Sequence, residues 1–280
     1  MIYHYTSIAN LALILSSQNF RFSRLDQVDD IQEIDGLKEG FGKITFISCW
    51  TEDEEENIAL WKMYTENMSG VRIGCPIMPF RMIKTPPGKY GTWELASELI
   101  APFPPDELTT DTYNILPYFQ DNHEKPTFFK KVMYVRDQKA SYEQVVFDNR
   151  EKKNVITYRD FQDIGRFKSD KWVFQNESRF TLFCVPVLPI DHPLINGDRL
   201  KGIDIFSETI YGSHEALRNH LPYQQYVDLP LDHTVLNSLE ITLGPRCSLS
   251  EQLIVQALLE KYTSNATIKK SSLDNTIRFK

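Results

Sequence analysis

The sequence predicts an α+β fold, and two patterns support this prediction. Ile8, Leu11, Ile14 and Leu15 recur at helical spacing, so residues 7–17 are predicted as a helix with one buried stripe. Elsewhere, short apolar or alternating runs such as residues 71–75 are typical of strands. The two kinds of segment follow each other along the whole chain without an internal repeat, which favours a single elaborated domain over residues 1–280.

The remaining elements follow from the same patterns. The predicted segments after the first helix are a strand at 44–50, a helix at 54–67, a strand at 71–75, strands within 128–187 around a helix near 139–147, a strand at 203–206, a helix near 213–220, a strand at 239–243, a helix at 249–262 and a strand at 266–270. The acidic run at residues 52–56 suits the positive end of the helix at 54–67. Residues 76–126 hold most of the 15 prolines and are predicted to be a long, loop-rich insertion with one short helix near Leu116.

The start of the chain carries a candidate binding site. In an extended strand His4 and Thr6 share one face, and Tyr3 and Tyr5 share the other. Thr6 or Ser7 can cap the following helix through its hydroxyl. The strand-to-helix turn would hold His4 and several hydrogen-bonding groups at the mouth of a cleft, although an ordinary edge-strand histidine fits the same pattern.

A second candidate site lies much later in the chain. Residues 171–187 are predicted as one or two strands with a polar break at 175–178, and alternation places Gln175, Glu177 and Arg179 on one face. An amide, a carboxylate and a guanidinium flanked by aromatic residues suit a wet cleft. The structural alternative is a surface ion pair of Glu177 with Arg179 or Lys171, which would stabilise the chain weakly.

Together, these two segments fit the cleavage of nicotinamide from NAD. That reaction passes through a ribose with oxocarbenium character, as glycoside cleavage does. A carboxylate that accepts a hydrogen bond from the ribose stabilises the positive charge, and this help is largest in a dry, preorganised site. Glu177 supplies the carboxylate, His4 an imidazole for ribose hydroxyls or phosphates, and Tyr5 an aromatic ring for stacking.

The N-terminal run Tyr3-His4-Tyr5-Thr6-Ser7 with the helix that follows resembles the N-terminus of DarT-type ADP-ribosyltransferases. The whole chain is similar to a bacterial family of uncharacterised proteins, some of them linked to abortive phage resistance. The segments that carry this second similarity are 20–23 with 29–30, 47–50, 60–64 running to 70–74, Lys168 with Trp172 and 177–179, 243–245 and 268–271. The resemblance implies an ADP-ribosyltransferase-like core of two packed, mainly antiparallel sheets with flanking helices.

The resemblance also implies roles for individual residues. Glu177 and His4 would be catalytic, and Gln175 and Arg179 would contact the acceptor. The residues expected to bind NAD are His4, Tyr5, Thr6, Ser7, Arg21, Ser23, Trp50, Tyr64 and Trp172. The chain departs from the family in having Gln175 where a second acidic residue is common. It also has Val28-Asp29-Asp30-Ile31 in place of an Asn-Asp-Pro turn, which leaves the role of Asp30 open.

Composition limits the other classes of function. A net charge of −7 disfavours a broad, sequence-blind nucleic-acid surface. No apolar run approaches the roughly 18 residues of a membrane span, and no signal peptide is evident, so no membrane partner is expected. The 4 cysteines lie far apart, which argues against a zinc site or a disulfide framework and favours the cytoplasm. No metal is expected.

These observations lead to one main hypothesis and two alternatives. The main hypothesis is an NAD-consuming ADP-ribosyltransferase or NAD glycohydrolase in a bacterial toxin or anti-phage system. A macromolecular acceptor, protein or nucleic acid, would be its partner, and an antitoxin or defence-system protein would be a second one. The alternatives are a noncatalytic sensor or binding module on the same fold, and an NAD-dependent RNA-modifying enzyme.

Overall fold

A computed structural model describes residues 1–37, 40–90, 93–108, 110–116, 128–149, 155–158, 163–198 and 215–277. The predicted α+β class is confirmed within these ranges. The α-helices are α1 Ile8–Ser17, α2 Phe41–Ile44, α3 Ile58–Tyr64, α4 Pro105–Leu108, α5 Gln138–Val145, α6 His233–Leu236 and α7 Leu249–Tyr262. Short 3-10 helices lie at Leu25–Gln27, Ile31–Ile34, Asp170–Gln175 and Glu215–Leu217.

The strands are short and numerous. They are β1 Ile2–Thr6, β2 Asn19–Arg24, β3 Thr45–Thr51, β4 Val71–Cys75, β5 Ile83–Thr85, β6 Gly88–Tyr90, β7 Trp93–Leu95, β8 Leu99–Ala101, β9 Tyr113–Leu116, β10 Phe129–Lys131, β11 Met133–Val135, β12 Val146–Asn149, β13 Val155–Tyr158, β14 Phe167–Ser169, β15 Glu177–Pro186, β16 Tyr226–Pro230, β17 Glu240–Leu243 and β18 Thr267–Lys270.

Ten of the strands form one branched sheet. Its main path runs β10-β15-β3-β1-β4-β17-β18, while β2, β9 and β16 branch from it. All pairings in this sheet are antiparallel except the one between β17 and β18. Within the described ranges the other strands form four two-stranded sheets. The large sheet is thus mainly antiparallel. The core of two packed sheets that the resemblance to ADP-ribosyltransferases implies stays a prediction.

The sheet forks at β3. One edge of β3 pairs with β15 over its whole length, from Glu177↔Thr51 to Phe183↔Thr45. The other edge pairs with β2 near its start and with β1 only at its end, at Tyr3↔Thr51. Because β1 and β2 share this edge but meet it at opposite ends, they separate from each other and leave an opening in the sheet.

The insertion at 76–126 differs from the prediction. Its described part contains β5 to β9 and α4, and the segment ending at Leu116 is the strand β9 rather than a helix. Phe103 and Ile115 from this region are buried in the main core, and β9 pairs with β15. The prolines therefore separate short strands that pack on the sheet, rather than marking an irregular loop.

Other predicted bounds also change. The helix predicted at 54–67 spans only α3, because Asn57 caps it with its side-chain oxygen and its first turn holds no acidic residue. The helix predicted at 139–147 is α5, and the chain is a strand again from Val146. The strand predicted at 203–206 and the start of the helix at 213–220 lie outside the described residues.

Candidate functional site

A cleft opens where β1 and β2 separate. It encloses about 280 Å³, and its walls come from β1, β2, β3, the loop after β2, α3 and the start of β15. The lining residues are Tyr3, His4, Tyr5, Arg21, Ser23, Gln27, Val28, Asp29, Ile47, Ser48, Cys49, Trp50, Thr51, Leu60, Tyr64, Lys168, Gln175, Glu177 and Arg179. The fork of the sheet thus brings two segments that are about 100 residues apart in sequence, 3–64 and 168–179, into one cavity.

Most of the residues predicted from the sequence line this cleft. They are His4, Tyr5, Arg21, Ser23, Trp50, Tyr64, Gln175, Glu177 and Arg179. Thr6, Ser7 and Trp172 are not among the lining residues. Ser7 caps α1 by accepting the Asn10 N–H, and the Thr6 hydroxyl accepts from the Asn10 side chain, so both act locally at the start of the helix.

Gln175 reaches the cleft by a different route from the one predicted. Residues 170–175 form a 3-10 helix, and Asn176 adopts a left-handed conformation with φ of 41° before β15 begins at Glu177. The strand predicted from residue 171 is therefore wrong, because the left-handed residue breaks the alternation. Only Glu177 and Arg179 share a strand face.

The Glu177 carboxylate belongs to a buried ionic cluster of Glu33, Lys168, Glu177 and Arg179. Lys168 Nζ lies 3.1 Å from Glu177 Oε2 and 3.0 Å from Glu33 Oε1. Arg179 donates to both oxygens of Glu177 and both oxygens of Glu33. The residues of the cluster are 5% exposed or less, so each charge depends on its partners rather than on water.

Arg179 has no donor left for a further ligand. Its remaining N–H donates to the carbonyl of Gly165, so all five guanidinium N–H groups of this side chain have acceptors. The contact with an acceptor that the sequence predicted for Arg179 does not fit this geometry. The ion pair with Glu177 was the structural alternative, and it is present, but it is buried and its second cation is Lys168 rather than Lys171.

The cluster keeps Glu177 ionised. Burial alone would raise the pKa of this carboxyl, but the charges of Arg179 and Lys168 outweigh burial and lower the pKa to about 2. Burial together with the charge of Glu177 raises the pKa of the Cys49 thiol. The cleft therefore has a permanent anion beside a neutral thiol.

His4 presents a neutral imidazole to the cleft. Its Nδ1 lies 2.9 Å from the Cys49 carbonyl oxygen, which can only accept, so Nδ1 carries the proton and Nε2 has a free lone pair. Burial lowers the pKa of His4, against a smaller opposing effect of this hydrogen bond. The ring packs against Phe20 and Trp50 at centroid distances of 5.5 and 5.2 Å, which sets its orientation.

Two of the predicted aromatic contacts are already used within the protein. Trp50 is 3% exposed and donates its Nε1 to Ser48, and Tyr5 packs edge-on against Trp61 while its hydroxyl accepts the Asn57 N–H. Trp172 lies behind the site, where the Lys168 ammonium sits 4.9 Å from the centre of its ring. It acts on the cleft through Lys168.

Tyr64, Gln175 and Asp29 form a hydrogen-bonded chain along one wall. The Tyr64 hydroxyl lies 2.5 Å from Asp29 Oδ2, and Gln175 Nε2 lies 2.6 Å from the same hydroxyl. Burial and the neighbouring Asp29 carboxylate raise the pKa of Tyr64. Lys168 Nζ lies 3.5 Å from Asp29 Oδ1, which links this chain to the ionic cluster.

Arg21 and Ser23 lie on β2 at the exposed side of the cleft. Arg21 pairs with Asp228 through two contacts of 2.9 Å and stacks on the Tyr226 ring, 3.5 Å from its centroid. Its side chain is still about half exposed, at 55%. It is therefore the cationic residue of the lining that remains open to solvent, since Lys168 and Arg179 are buried.

Several residues of the site were not predicted. Lys168 and Asp29 belong to segments that carry the family resemblance, and this was the only signal for them. Cys49 lies in another of these segments, 47–50, whereas Glu33 had no signal, because an isolated glutamate in an ordinary loop pattern carries no local mark of a distant partner. Asp30, whose role the sequence left open, caps the 3-10 helix Ile31–Ile34 by accepting the Gln32 N–H, while its neighbour Asp29 lines the cleft.

The acidic run at 52–56 is also placed differently from the prediction. Glu52 accepts from the Ser178 hydroxyl at 2.8 Å, and Asp53 accepts from Asn176 at 2.6 Å. Glu56 accepts from the Trp61 indole and the Ser272 N–H at 2.9 and 2.6 Å. The run therefore joins the start of β15 and the C-terminal segment to α3 instead of forming the first turn of that helix.

The fold and the cleft define an α+β protein with a small, charged pocket at a fork in its sheet. Comparison with protein-family models, curated proteins and solved structures finds no match. Within the described ranges, no group of three or more His, Cys, Asp and Glu residues is arranged to hold a metal ion. No helix among those residues is long and apolar enough to cross a bilayer.

Proposed function

We propose that this protein binds NAD in the cleft and cleaves the bond between nicotinamide and ribose. The observation that carries the proposal is Glu177, a buried carboxylate held ionised at the base of a cavity by Arg179 and Lys168. A fixed anion of this kind stabilises positive charge that develops on the ribose, and it does so without reorganising when the reaction occurs. Glu177 is assigned this role.

We assign His4 the role of accepting hydrogen bonds from the ribose hydroxyls. Its Nε2 is a hydrogen-bond acceptor because Nδ1 donates to the Cys49 carbonyl, and burial keeps the ring neutral. Both β1 and β15 are strands of the same sheet that pair with β3, so His4 and Glu177 are held on a rigid frame. Rigid placement of two groups that contact one sugar is what a preorganised site requires.

The size of the cleft suits the nicotinamide end of NAD. Its lining holds two carboxylates, Asp29 and Glu177, together with three cations, Arg21, Lys168 and Arg179, so the charge of the cleft does not by itself select this end of the dinucleotide. A volume of about 280 Å³ lies at the lower end of the range for ligand pockets, so it suits the nicotinamide and its ribose rather than the whole dinucleotide. The phosphates would extend outward, toward the half-exposed Arg21.

Transfer of ADP-ribose to a macromolecule is the second part of the proposal. Val173 and Phe174 precede Gln175 and are 59% and 39% exposed, so apolar side chains lie beside the cleft on the protein surface. Exposed apolar residues next to a pocket are typical of a contact surface for another molecule. The acceptor is assigned to this surface rather than to Arg179, and the bacterial toxin or defence role is proposed with it.

The test is release of free nicotinamide from NAD by Glu177→Gln, compared with Glu33→Gln. Both substitutions remove one charge from the same ionic cluster, but Glu33 does not line the cleft. We expect Glu177→Gln to lower turnover by roughly a hundred- to a thousandfold, with a smaller effect on NAD affinity, because it removes a stabilising charge from the transition state. Glu33→Gln should keep most of the turnover at a similar loss of stability. Equal loss of turnover in both variants would assign Glu177 a structural role instead.

A noncatalytic binding module is the second candidate, and the geometry of Glu177 favours it in one respect. Both carboxylate oxygens already accept from Arg179, and Lys168 donates to Oε2 as well, which occupies three of the roughly four lone-pair positions of a carboxylate. A ribose hydroxyl would have to share Glu177 with these donors. Tight NAD binding by the wild type without release of nicotinamide would support this candidate.

A further inference from the structure

Gln175 has a polar atom that the protein leaves without a partner. The side chain is 3% exposed, and its Oε1 accepts no hydrogen bond, although the residue lines the cleft. Leaving a buried carbonyl oxygen unpaired is unfavourable because the oxygen loses its hydrogen bonds to water, so such atoms are rare in folded proteins. An unpaired acceptor in a pocket is typical of a contact that a ligand completes.

The orientation of the Gln175 amide follows from its neighbours. The Tyr64 hydroxyl has a single proton, and the Asp29 carboxylate 2.5 Å away can only accept, so Tyr64 donates to Asp29. The hydroxyl oxygen must then accept from Gln175, which places Nε2 against Tyr64 at 2.6 Å. Oε1 is therefore the end of the amide left for a ligand, and the ligand group must be a donor.

We propose that Gln175 Oε1 accepts the carboxamide N–H of nicotinamide and so selects NAD over its deamidated form, which carries nicotinic acid. This inference rests on the proposed function and adds the group that recognises the base. Gln175 lies two residues before Glu177, the residue assigned to the ribose that carries this base. Both residues line the same cleft, so we assign the base attached to that ribose to Gln175.

The same wall disfavours the acid form. Nicotinic acid ends in a carboxylate, which has no proton to donate to Gln175 Oε1 at neutral pH. Asp29 is paired with Lys168 at 3.5 Å, so its charge is offset and repulsion is not the source of the discrimination. The site therefore disfavours the acid through the unmade hydrogen bond.

The test compares binding of NAD and of deamido-NAD by calorimetry in the wild type and in Gln175→Met. Methionine has nearly the shape of glutamine but no acceptor oxygen. We expect the wild type to bind NAD about ten- to a hundredfold more tightly than deamido-NAD, as expected for one buried hydrogen bond. In Gln175→Met this preference should fall to within about threefold. Gln138→Met is the matched control, since Gln138 is another buried glutamine but does not line the cleft, and it should keep the preference.

Tyr64→Phe tests whether Tyr64 sets the orientation of the Gln175 amide. If Gln175 had only a structural role, this substitution would not change the preference for NAD over deamido-NAD. Without the hydroxyl the amide is free to turn its Nε2 toward the ligand, so the preference for NAD should shrink or reverse even though Gln175 is intact. Nicotinamide hypoxanthine dinucleotide, which lacks the adenine amine, should bind the wild type as NAD does. If Gln175→Met instead changes the ratio of the affinities for NAD and for nicotinamide hypoxanthine dinucleotide, Gln175 contacts the adenine and the inference is overturned.

The outcomes for the wild type separate this inference from the proposed function. Equal affinity for NAD and deamido-NAD would refute selection by Gln175 and leave NAD cleavage standing. Binding of neither dinucleotide would refute the proposed function, and the role of Gln175 in reading nicotinamide would fall with it. A preference for NAD that survives in Gln175→Met would assign the discrimination to other residues.

Discussion

The two faces of β15 are built from opposite chemistry, although their residues alternate along one strand. Glu177 and Arg179 face the ionic cluster with Glu33 and Lys168. Phe180 faces a cluster of aromatic rings, with Phe129 at 4.5 Å, Phe80 at 4.9 Å and Phe128 at 5.2 Å between ring centroids. Both faces are almost completely buried.

Equal burial does not mean equal tolerance to change. Contacts between apolar rings are many, weak and interchangeable, so a substituted side chain of similar volume loses only part of them. The ionic cluster contains two carboxylates and two cations, and their charges cancel only when all four are present. Removing one leaves a buried charge without a partner, which costs far more than the net contribution of the intact pairs.

Arg179→Met should have the largest effect on stability. It leaves Glu33 and Glu177 with Lys168 as the only cation of the cluster, and we expect the free energy of unfolding to fall by about 3–5 kcal/mol. Urea denaturation followed by circular dichroism measures this change. The matched control is Arg21→Met, which breaks the exposed pair with Asp228 and should cost about 0.2–1 kcal/mol. Equal losses of unfolding free energy in the two variants would show that removing a charge from the cluster costs no more than breaking a surface ion pair.

Acidification should weaken the protein through Glu177. Because Arg179 and Lys168 outweigh burial and lower its folded pKa to about 2, its contribution is present above the ordinary value of 4.5 and is lost as the pH falls from about 4.5 to about 2. The stability difference between wild type and Glu177→Gln should therefore narrow by a few kcal/mol over that interval. The control is Glu54→Gln, at an exposed position. Its free energy of unfolding should differ from that of the wild type by the same amount at every pH. Urea titrations at a series of pH values would contradict the prediction if the wild type and Glu177→Gln stayed parallel.

Phe180→Leu should have the smallest effect of the three. The leucine keeps an apolar side chain among the rings but fills less space, and we expect a loss of about 1–2 kcal/mol, within the usual range for core substitutions. Phe174→Leu, at a position 39% exposed, should change stability by less than about 0.5 kcal/mol. If Phe180→Leu lowered the free energy of unfolding as much as Arg179→Met does, the aromatic face would tolerate substitution no better than the ionic face.

Elements with a clear local pattern were predicted well from the sequence. The helix at 7–17 is α1, capped by Ser7, and the helix at 249–262 has the bounds of α7, which begins with a capping box of Ser248 and Glu251. The strand at 71–75 is also β4. In each case the periodicity and the cap lie within a few residues of each other, so local interactions are enough to define the element.

The errors lie where a distant partner decides the local structure. Residues 171–175 were predicted as the start of a strand because the large aromatic residues Trp172 and Phe174 lie two positions apart. Their 3-10 helix instead lets Lys168 lie against Trp172 and lets Asn57 donate to the Phe174 carbonyl. The acidic run at 52–56 looked like the first turn of a helix, but its carboxylates bind Trp61, Ser178 and Ser272. None of these contacts can be inferred from the neighbouring sequence.

The sequence by itself determined the α+β class and about half of the residues that line the cleft, including His4 and Glu177. It did so because residue types suited to binding stand out against an apolar pattern. Only the tertiary structure decided which of these side chains still have hydrogen-bonding groups available for a ligand. Arg179 and Glu33 are separated by 146 positions, and this pairing turns a residue expected to contact an acceptor into a buried support for Glu177. Charges pair across the whole fold, whereas periodicity acts within a single element, and for this reason the electrostatics of the site could not be predicted from the order of the residues.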